Sequence, residues 1–447
     1  MVNAHISPLS YRYLLSKAWP IILANAAVPL LGLVDTAVIG NVGTVEDLGA
    51  IAFGALIFSF VYWGFGFLRM GTTGFIARAA GAEDEQEVRA ILGRSLLMAI
   101  GLGLLLIALQ WPIRELAFSL LGGSETVELI AREYFRIRIW GAPATLATFV
   151  LMGVLIGRGQ SKTLLVVQLF LNGLNIALDI LFAGVLKLGV AGIALGTVVA
   201  EWATVVLAAW LIIRELSRHK EPGRPFWLLS RILDKISLIR ALSANLNIMI
   251  RTLLLVFSFA FFINQSAQFG DVILAANHIL LQLVAFAAFF LDGYAFVVEA
   301  LVGNSIGAGR RARFDQAVYR SSVLALITAI ILALLIWLFG NFAISLITDL
   351  TEVHNAAASL LFLAAIYVCC SFAAFQLDGI FIGASCTRHM RNAAVMSLLV
   401  FLLAWWLLSG SYGVVGLWWA MIIYVVARAG VLFFYYAPLR NSIADGQ

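Results

Sequence analysis

Charge is scarce in this sequence. Asp, Glu, Lys and Arg together make up 12% of its 447 residues, against about 25% in soluble proteins. So few charges cannot coat the two or three soluble domains that the length would otherwise suggest. Cysteine is scarcer still. Cys369, Cys370 and Cys386 are the three present. They sit in apolar surroundings without metal-ligand spacing, which excludes a disulfide scaffold and leaves packing roles. Catalytic signatures are missing as well. Without GxxxxGK[ST], ATP does not drive this protein, and there is no HExxH. No paired Asp-rich motif suggests prenyl transfer. The glycine-containing runs at 153–159 and 303–309 are loop or packing glycines. Neither an enzyme nor a cofactor is expected.

Apolar residues fill the space instead. They form 62% of the chain, against about 45–50% in soluble proteins. At roughly 20–25 residues per span, the apolar runs mark twelve helices: 13–38, 49–78, 89–112, 128–156, 162–186, 190–214, 236–266, 272–304, 314–339, 353–382, 390–410 and 414–437. Polar or glycine-containing turns separate them, as at Gly43–Asp47 and Gly122–Glu125. The fold class is all-α integral membrane, with the lipid bilayer as the main partner and a monomer expected.

A net charge of +5 would hint at nucleic acid in a soluble protein. Here it is read by sidedness, and no nucleic-acid partner is expected. The loops after helices 2, 4, 6, 8 and 10, with their flanks, carry most of the Lys and Arg, including Arg158, Arg214, Arg231, Arg310 and Arg311. The opposite loops hold Arg114, Arg132, Arg136, Arg138 and Lys187. The positive-inside rule then puts both termini in the cytoplasm. The run around Ala24-Asn25-Ala26 could pass for a signal-peptide cleavage site. That reading is rejected, because cleavage would leave eleven helices and spoil the sidedness. The short loops and the lack of a targeting segment fit a bacterial inner membrane.

The longest charged linker, 215–235, contains Pro222, Gly223 and Pro225 and falls near mid-chain. It divides the chain into a bundle at 1–214, the linker 215–235 and a second bundle at 236–447. A shift of 226 residues aligns landmarks of the two halves. Gly153 and Gly157 meet Gly379 and Gly383, Gly81-Ala82 meets Gly307-Ala308, and Arg94-Ser95 meets Arg320-Ser321. A shift of 224 aligns Gly189–Gly192 with Gly413–Gly416. Six helices per half make the repeat parallel, related by an axis along the membrane normal. Two such six-helix bundles around a central cleft are the architecture of a transporter rather than a channel or an intramembrane enzyme.

Ionisable groups inside spans are costly and mark function. At 1.5 Å per residue, Asp35 lies about 28 Å along its helix from Ser16, and Asp179 about 26 Å from Lys162. Both fall in the outer half of the membrane at similar depth. On the fifth helix, Gln168, Asn172, Asn175 and Asp179 follow i, i+4, i+7 and i+11, one face of a helix. Proton coupling needs a carboxylate that changes protonation near neutral pH. An unperturbed Asp titrates near 3.9, and burial or an adjacent carboxylate raises such a group. Asp35 is expected to be the main proton carrier, because its helix also holds Pro20 and Pro29, each of which removes a backbone hydrogen bond and favours a bend. Competing structural readings stand beside these: a solvated Asp35 at the outer interface, a structural hydrogen bond for Asp179, amide packing for Gln168 and Asn172, close packing at Thr197 and an ordinary kink at Pro29.

These residues resemble the multidrug and toxic compound extrusion (MATE) transporters, and more closely their DinF-like branch. The resemblance covers essentially the whole chain. It rests on Pro20 and Asp35 of the first helix, Asn175 and Asp179 of the fifth, Thr197 of the sixth and Tyr134 of the fourth. It implies cation-coupled export of bulky, often cationic and amphipathic organic compounds. Tyr62, Trp63, Tyr134 and Gln168 are candidate cavity residues, and ring faces suit a cationic cargo. No firm metal site is read, although Asp179, Asn175 and Thr197 could serve Na⁺ in place of H⁺. The second half has Phe261 and Trp405 where the shift would put Asp35 and Asp179. Its seventh helix carries Arg251 and no acid, which argues against a cation site there; Asp378 or Asp292 is expected to pair with Arg251. Two other readings were weighed. A lipid-linked oligosaccharide flippase should have more intramembrane Arg than Arg69 and Arg251. A membrane enzyme or scaffold should show a one-sided catalytic cluster.

Overall fold

The structure, a computed structural model, describes residues 9–121, 124–218 and 225–443, with the backbone alone at 28–33, 42 and 120–121. Gly122, Gly123, Pro222 and Gly223 lie outside the described residues, as does the side chain of Pro29.

The described chain is almost wholly helical: α1 (Tyr11–Val42), α2 (Val45–Trp63), α3 (Phe67–Gly81), α4 (Glu85–Ala108), α5 (Gln110–Leu121), α6 (Glu125–Arg138), α7 (Ala142–Gly157), α8 (Ser161–Asp179), α9 (Gly189–Arg218), α10 (Leu229–Ile232), α11 (Lys235–Ala267), α12 (Asp271–Gly307), α13 (Arg311–Ile347), α14 (Thr351–Gly383) and α15 (Thr387–Asn441). Among the described residues, ten stretches are long and apolar enough to cross a membrane. One of these, α15, is two helices joined at Gly413, whose φ of 54° and ψ of −133° break the helix. With α1, 32 residues long, these give the twelve spans.

Local chemistry explains the interruptions. The second span divides into α2 and α3 at Gly64–Gly66, where turn bonds replace the helical ladder. The fourth divides into α6 and α7 through a 3₁₀ turn at Ile139–Gly141, with Pro143 in the first turn of α7, where its missing N–H costs nothing. At the third span the sequence reading stopped short: α5 extends it from Gln110 to Leu121. Polar caps set the starts. Thr44 and Asp47 form a reciprocal capping box on α2, and Ser124 caps α6.

The chain falls into two compact units, Leu23–Leu242 and Met1–Ile22 with Ser243–Gln447. Within the second, the start of α1 packs on α12: a Cβ on Gly293 would strike Ile22 and stand 3.4 Å from the Ala18 carbonyl. Arg320 donates to the Leu9 carbonyl.

Each unit contains the same close helix crossing. In the first, α7 lies on α3 so tightly that a Cβ on Gly153 would stand 2.6 Å from the Arg69 carbonyl, and one on Gly157 2.8 Å from that of Thr73. In the second, α14 lies on α12, with Gly379 2.6 Å in the same sense from the Ala295 carbonyl and Gly383 against that of Glu299. Ala295 and Glu299 are Arg69 and Thr73 moved by the same 226 residues that relate the glycines. Small residues let membrane helices approach backbone to backbone, so the glycine spacing encodes the same crossing in both units.

Ion pairs fasten the polar ends of the first unit. Arg158 bridges Glu85 (2.9 Å) and Glu215 (3.3 Å), and Arg231 grips both oxygens of Asp84 at 3.0 Å. Ile232 and Trp227 close over Gly93. Burial disfavours ionisation of Asp84, but the Glu87 N–H and the Arg231 guanidinium outweigh it and hold the carboxyl below its usual range.

Candidate coupling site

The polar stripe of α8 faces protein along its whole length. Gln168, Asn172, Asn175 and Asp179 are all buried, the last two completely. Gln168 donates to Asn172 (3.1 Å), and Asn172 donates to the carbonyl of Ala27 on α1 (3.0 Å). Asn175 donates to Thr197 of α9 (3.1 Å), whose hydroxyl donates to the Ile193 carbonyl (3.0 Å). The stripe therefore ties α8 to α1 on one side and α9 on the other.

Asp179 is the last residue of α8, and the chain then widens into a π-helical segment, Ile180–Val185. Such segments are rare and often lie at functional sites. Gly196 of α9 comes so close that a Cβ there would stand 2.5 Å from Asp179 Oδ1. From α1, the half-buried Asp35 lies close enough to Asp179 for the two carboxyls to interact directly. Two ionised carboxylates have only acceptors, so a hydrogen bond between these two would need one of them to carry a proton. Both oxygens of Asp179 and Oδ1 of Asp35 are buried without a hydrogen-bond partner.

Tyr134 of α6 is buried with its ring against Gly54 of α2, and it interacts with both Asp35 and Asp179 through space. Tyr62 is buried near the end of α2. Trp63, the next residue, has half its surface exposed. Pro20 is buried inside α1, which runs helical through both of its prolines.

One turn beyond Tyr134 on α6, and one turn beyond Thr197 on α9, lies an ion pair that sequence reading missed. Arg138 and Glu201 form a bidentate bridge at 2.8 and 2.6 Å, both buried. Arg138 had been counted with the outer loop; it is the last residue of α6 and points into the unit. Arg138, the last charge before the long apolar stretch of 128–156, and Glu201, in the interior of 190–214, were the signal available.

The second unit carries different chemistry. Asp378 Oδ2 accepts from Arg251 and from Arg428 (2.6 Å), all three buried. The expected Arg251–Asp378 pair is present, joined by a second guanidinium. A cavity of about 380 Å³ at the α11–α12 end is lined by Ser266, Asp271, Asn277 and His278 among others. The three cysteines are free thiols. Among the described residues, no group of three or more His, Cys, Asp or Glu is placed to hold a metal.

Twelve spans in two like-built halves define an integral membrane transporter. The chain belongs to the MatE family, whose profile matches residues 20–181 and 248–406, one stretch in each half. It is similar to DNA damage-inducible protein F of Escherichia coli K12, with 36% identity over 420 residues covering 92% of this chain and 88% of that one. It also resembles a probable multidrug resistance protein NorM of Deinococcus radiodurans, at 27% identity over 412 residues, covering 90% and 87%. Among solved structures, the Vibrio cholerae MATE transporter VcmN in its bent form matches with a TM-score of 0.86 at 21% identity, covering 97% of each chain. A MOP superfamily transporter of Pyrococcus furiosus matches with a TM-score of 0.83 at 20% identity, covering 97% and 96%. These structures share the fold.

Proposed function

We propose that this protein is a proton-coupled antiporter exporting bulky, cationic or amphipathic organic compounds by alternating access, with Asp35 as the main proton carrier. The observation that carries this is the approach of two carboxyls, from α1 and α8, inside the span, with both oxygens of Asp179 and Oδ1 of Asp35 buried beyond the reach of any hydrogen-bond donor. The pair is coupled, so its protonation belongs to both residues. Asn172, Asn175 and Thr197 hold the α8 face of the site against α1 and α9.

The cycle follows from charge. With the pair protonated, the polar network around α1 relaxes, and α1 bends at Pro20, assisted at Pro29, to expel cargo outward. Proton release to the cytoplasm restores the straight helix. Across about 150 mV a proton supplies about 3.5 kcal/mol, at about 2.3 kcal/mol per 100 mV. For an uncharged cargo that sustains a gradient of several hundredfold, since about 1.4 kcal/mol is tenfold; exchange of one proton for one monovalent cation is electroneutral and draws on the pH difference alone. The protein acts as a monomer of two bundles, 1–214 and 236–447, joined by a cytoplasmic linker at 215–235, with both termini in the cytoplasm of a bacterial inner membrane. It performs no catalysis and needs no cofactor. Tyr62, Trp63, Tyr134 and Gln168 are the residues we assign to the cavity of the first half.

Na⁺ coupling at the same place is the second reading. It is favoured by the unpartnered oxygens of Asp179 and Asn175, which are hard ligands. Efflux of a fluorescent cationic dye from proteoliposomes under a pH gradient without Na⁺ separates the two. Proton coupling requires efflux in the wild type and its loss in Asp35→Asn. Equal efflux in both removes Asp35 from the mechanism. Efflux that appears only with Na⁺ establishes the second reading.

A further inference from the structure

The Arg138–Glu201 bridge has more to do than join α6 to α9. It lies within the membrane-spanning segments, with Arg138 7% and Glu201 7% exposed, where a charge pair is costly and usually functional. The fold makes room for it. A Cβ on Gly141 would stand 2.7 Å from the Arg138 guanidinium and closer still to Glu201. The guanidinium is also held under the rings of Phe58 (5.3 Å to the centroid) and Tyr62 (5.6 Å). It is a fixed charge at a built position.

Its position is tied to the acidic pair by helix register on both sides. Tyr134 and Arg138 are four residues apart on α6, and Thr197 and Glu201 are four apart on α9, so each stacks on the same helix face. On α9, Thr197 accepts from Asn175 and its neighbour Gly196 abuts Asp179 Oδ1, while Tyr134 lies within electrostatic reach of Asp35 and Asp179. Arg138 itself acts on Asp35 through space. The titratable groups of the cluster are Asp35 from α1, Tyr62 from α2, Tyr134 and Arg138 from α6, Asp179 from α8 and Glu201 from α9. From α7 comes only the uncharged Thr145. Helix α5 meets α6 lower down, where Glu115 pairs with Arg132 (2.7 Å).

The charge count gives the role. Three carboxyl groups and one guanidinium share this interior. With one proton on the Asp pair the cluster carries one excess negative charge, and without it, two. Arg138 keeps the deprotonated state within reach in a medium that cannot supply counter-ions, and Glu201 decides how much of that charge reaches Asp35.

We propose that Arg138 is the counter-ion of the coupling site, a positioning residue through which Glu201 sets the proton affinity of the Asp35–Asp179 pair. This rests on the proton-antiport reading above. The test is the pH profile of dye efflux for Arg138→Gln, Glu201→Gln, the double variant and Arg138→Lys, each first shown to be folded by size-exclusion chromatography.

The two single variants should move the profile in opposite directions. Loss of Arg138 removes a favourable charge and shifts the midpoint to higher pH by about one unit. Loss of Glu201 frees the guanidinium for Asp35 and shifts it lower. Arg138→Lys, which keeps the charge, should stay near wild type. A merely structural bridge gives shared losses of efflux at unchanged midpoint, with recovery in the double variant; that result overturns the proposal. Asp35→Asn, run in parallel, separates the two failures. If it keeps pH-driven efflux, the antiport reading falls and the proposal falls with it. If it loses efflux while Arg138→Gln and Glu201→Gln do not diverge, only the proposal falls.

Discussion

Phe261 and Trp405 meet edge to face, with ring centroids 4.9 Å apart, at the two positions that the 226-residue repeat pairs with Asp35 and Asp179. The two halves preserve a contact between equivalent helices and differ in what makes it. In one half it is a pair of carboxyls. In the other it is two rings, joined by Phe401 (5.8 Å from Phe261), which stands where the repeat puts Asn175. The aromatic contact has no titratable group, so it can fasten its bundle but cannot sense protons. Phe261→Leu and Trp405→Leu should therefore retain pH-driven efflux with an unchanged midpoint. Their cost should appear in thermal stability, since truncating a packed aromatic costs about 3–5 kcal/mol in the extreme case of alanine. Parallel efflux and melting measurements on the purified variants check this. A shifted efflux midpoint would contradict it.

Gly196 of α9 abuts the Asp179 carboxyl, and Gly173 of α8, on the same helix as Asp179, provides the contrast. A methyl on Gly196 would be forced to within 2.5 Å of Asp179 Oδ1, whereas nothing lies within 4 Å of a methyl on Gly173. Gly196→Ala should displace the Asp179 carboxyl from Asp35 and abolish coupled efflux. Gly173→Ala should transport normally and melt at the same temperature or higher, because alanine is favoured over glycine in a helix by up to about 1 kcal/mol. Efflux assays with melting curves on both variants decide it. Normal transport by Gly196→Ala would show that the Asp179 carboxyl need not stay where it is.

Much of the site was legible one-dimensionally, and the reason is periodicity. Gln168, Asn172, Asn175 and Asp179 recur at helical spacing in an apolar run, and each is buried. The repeat was legible because glycines at helix crossings tolerate little drift: Gly153 and Gly379 each need a bare Cα against a carbonyl. What stayed hidden depends on partners distant in sequence or on backbone detail. Counting Arg138 by sidedness concealed a bridge to Glu201, 63 positions away. Nothing in Ile180–Val185 announces a π segment. The apolar run also gave no sign that Leu109 would break α4 and let Gln110–Leu121 start a new helix. The Phe261–Trp405 contact could be indexed from the repeat, but only the packing reveals that the two rings touch.

Asp378 serves two guanidiniums at once through Oδ2. Such an arrangement stabilises little as a unit but is expensive to break, because removing one partner strands buried charge at a cost of about 3–5 kcal/mol. Asp378→Asn strands two arginines and should reduce folded yield sharply. The triple variant with Arg251→Met and Arg428→Met, which removes all of the charge, should recover much of that yield. Fluorescence-detected size exclusion of membrane extracts measures both. Equal yields of the single variant and the wild type would mean that the arginines find other partners.

Asp84 offers a pH-dependent test at the polar end of the first unit. Its carboxyl lies below the usual range, against the opposing effect of burial, because the Glu87 N–H and Arg231 hold its charged form. A group whose folded value is depressed adds stability above its unfolded value, near 3.9, and loses it as pH falls through the folded value. At neutral pH the contribution is therefore fully present. Both Asp84 and Arg231 keep about two fifths of their side-chain surface exposed, so screening limits the contribution to under about 1 kcal/mol. Asp84→Asn should lower the melting temperature by about one degree at pH 7, with the gap closing as the pH is lowered toward 3. Asn can still accept the bond from Glu87 that caps α4, so the pH-dependent part of the difference reports the ion pair to Arg231. A gap that stayed constant across this range would mean that the cap, rather than the charge, fastens the segment carrying Arg231 and α10 to the start of α4.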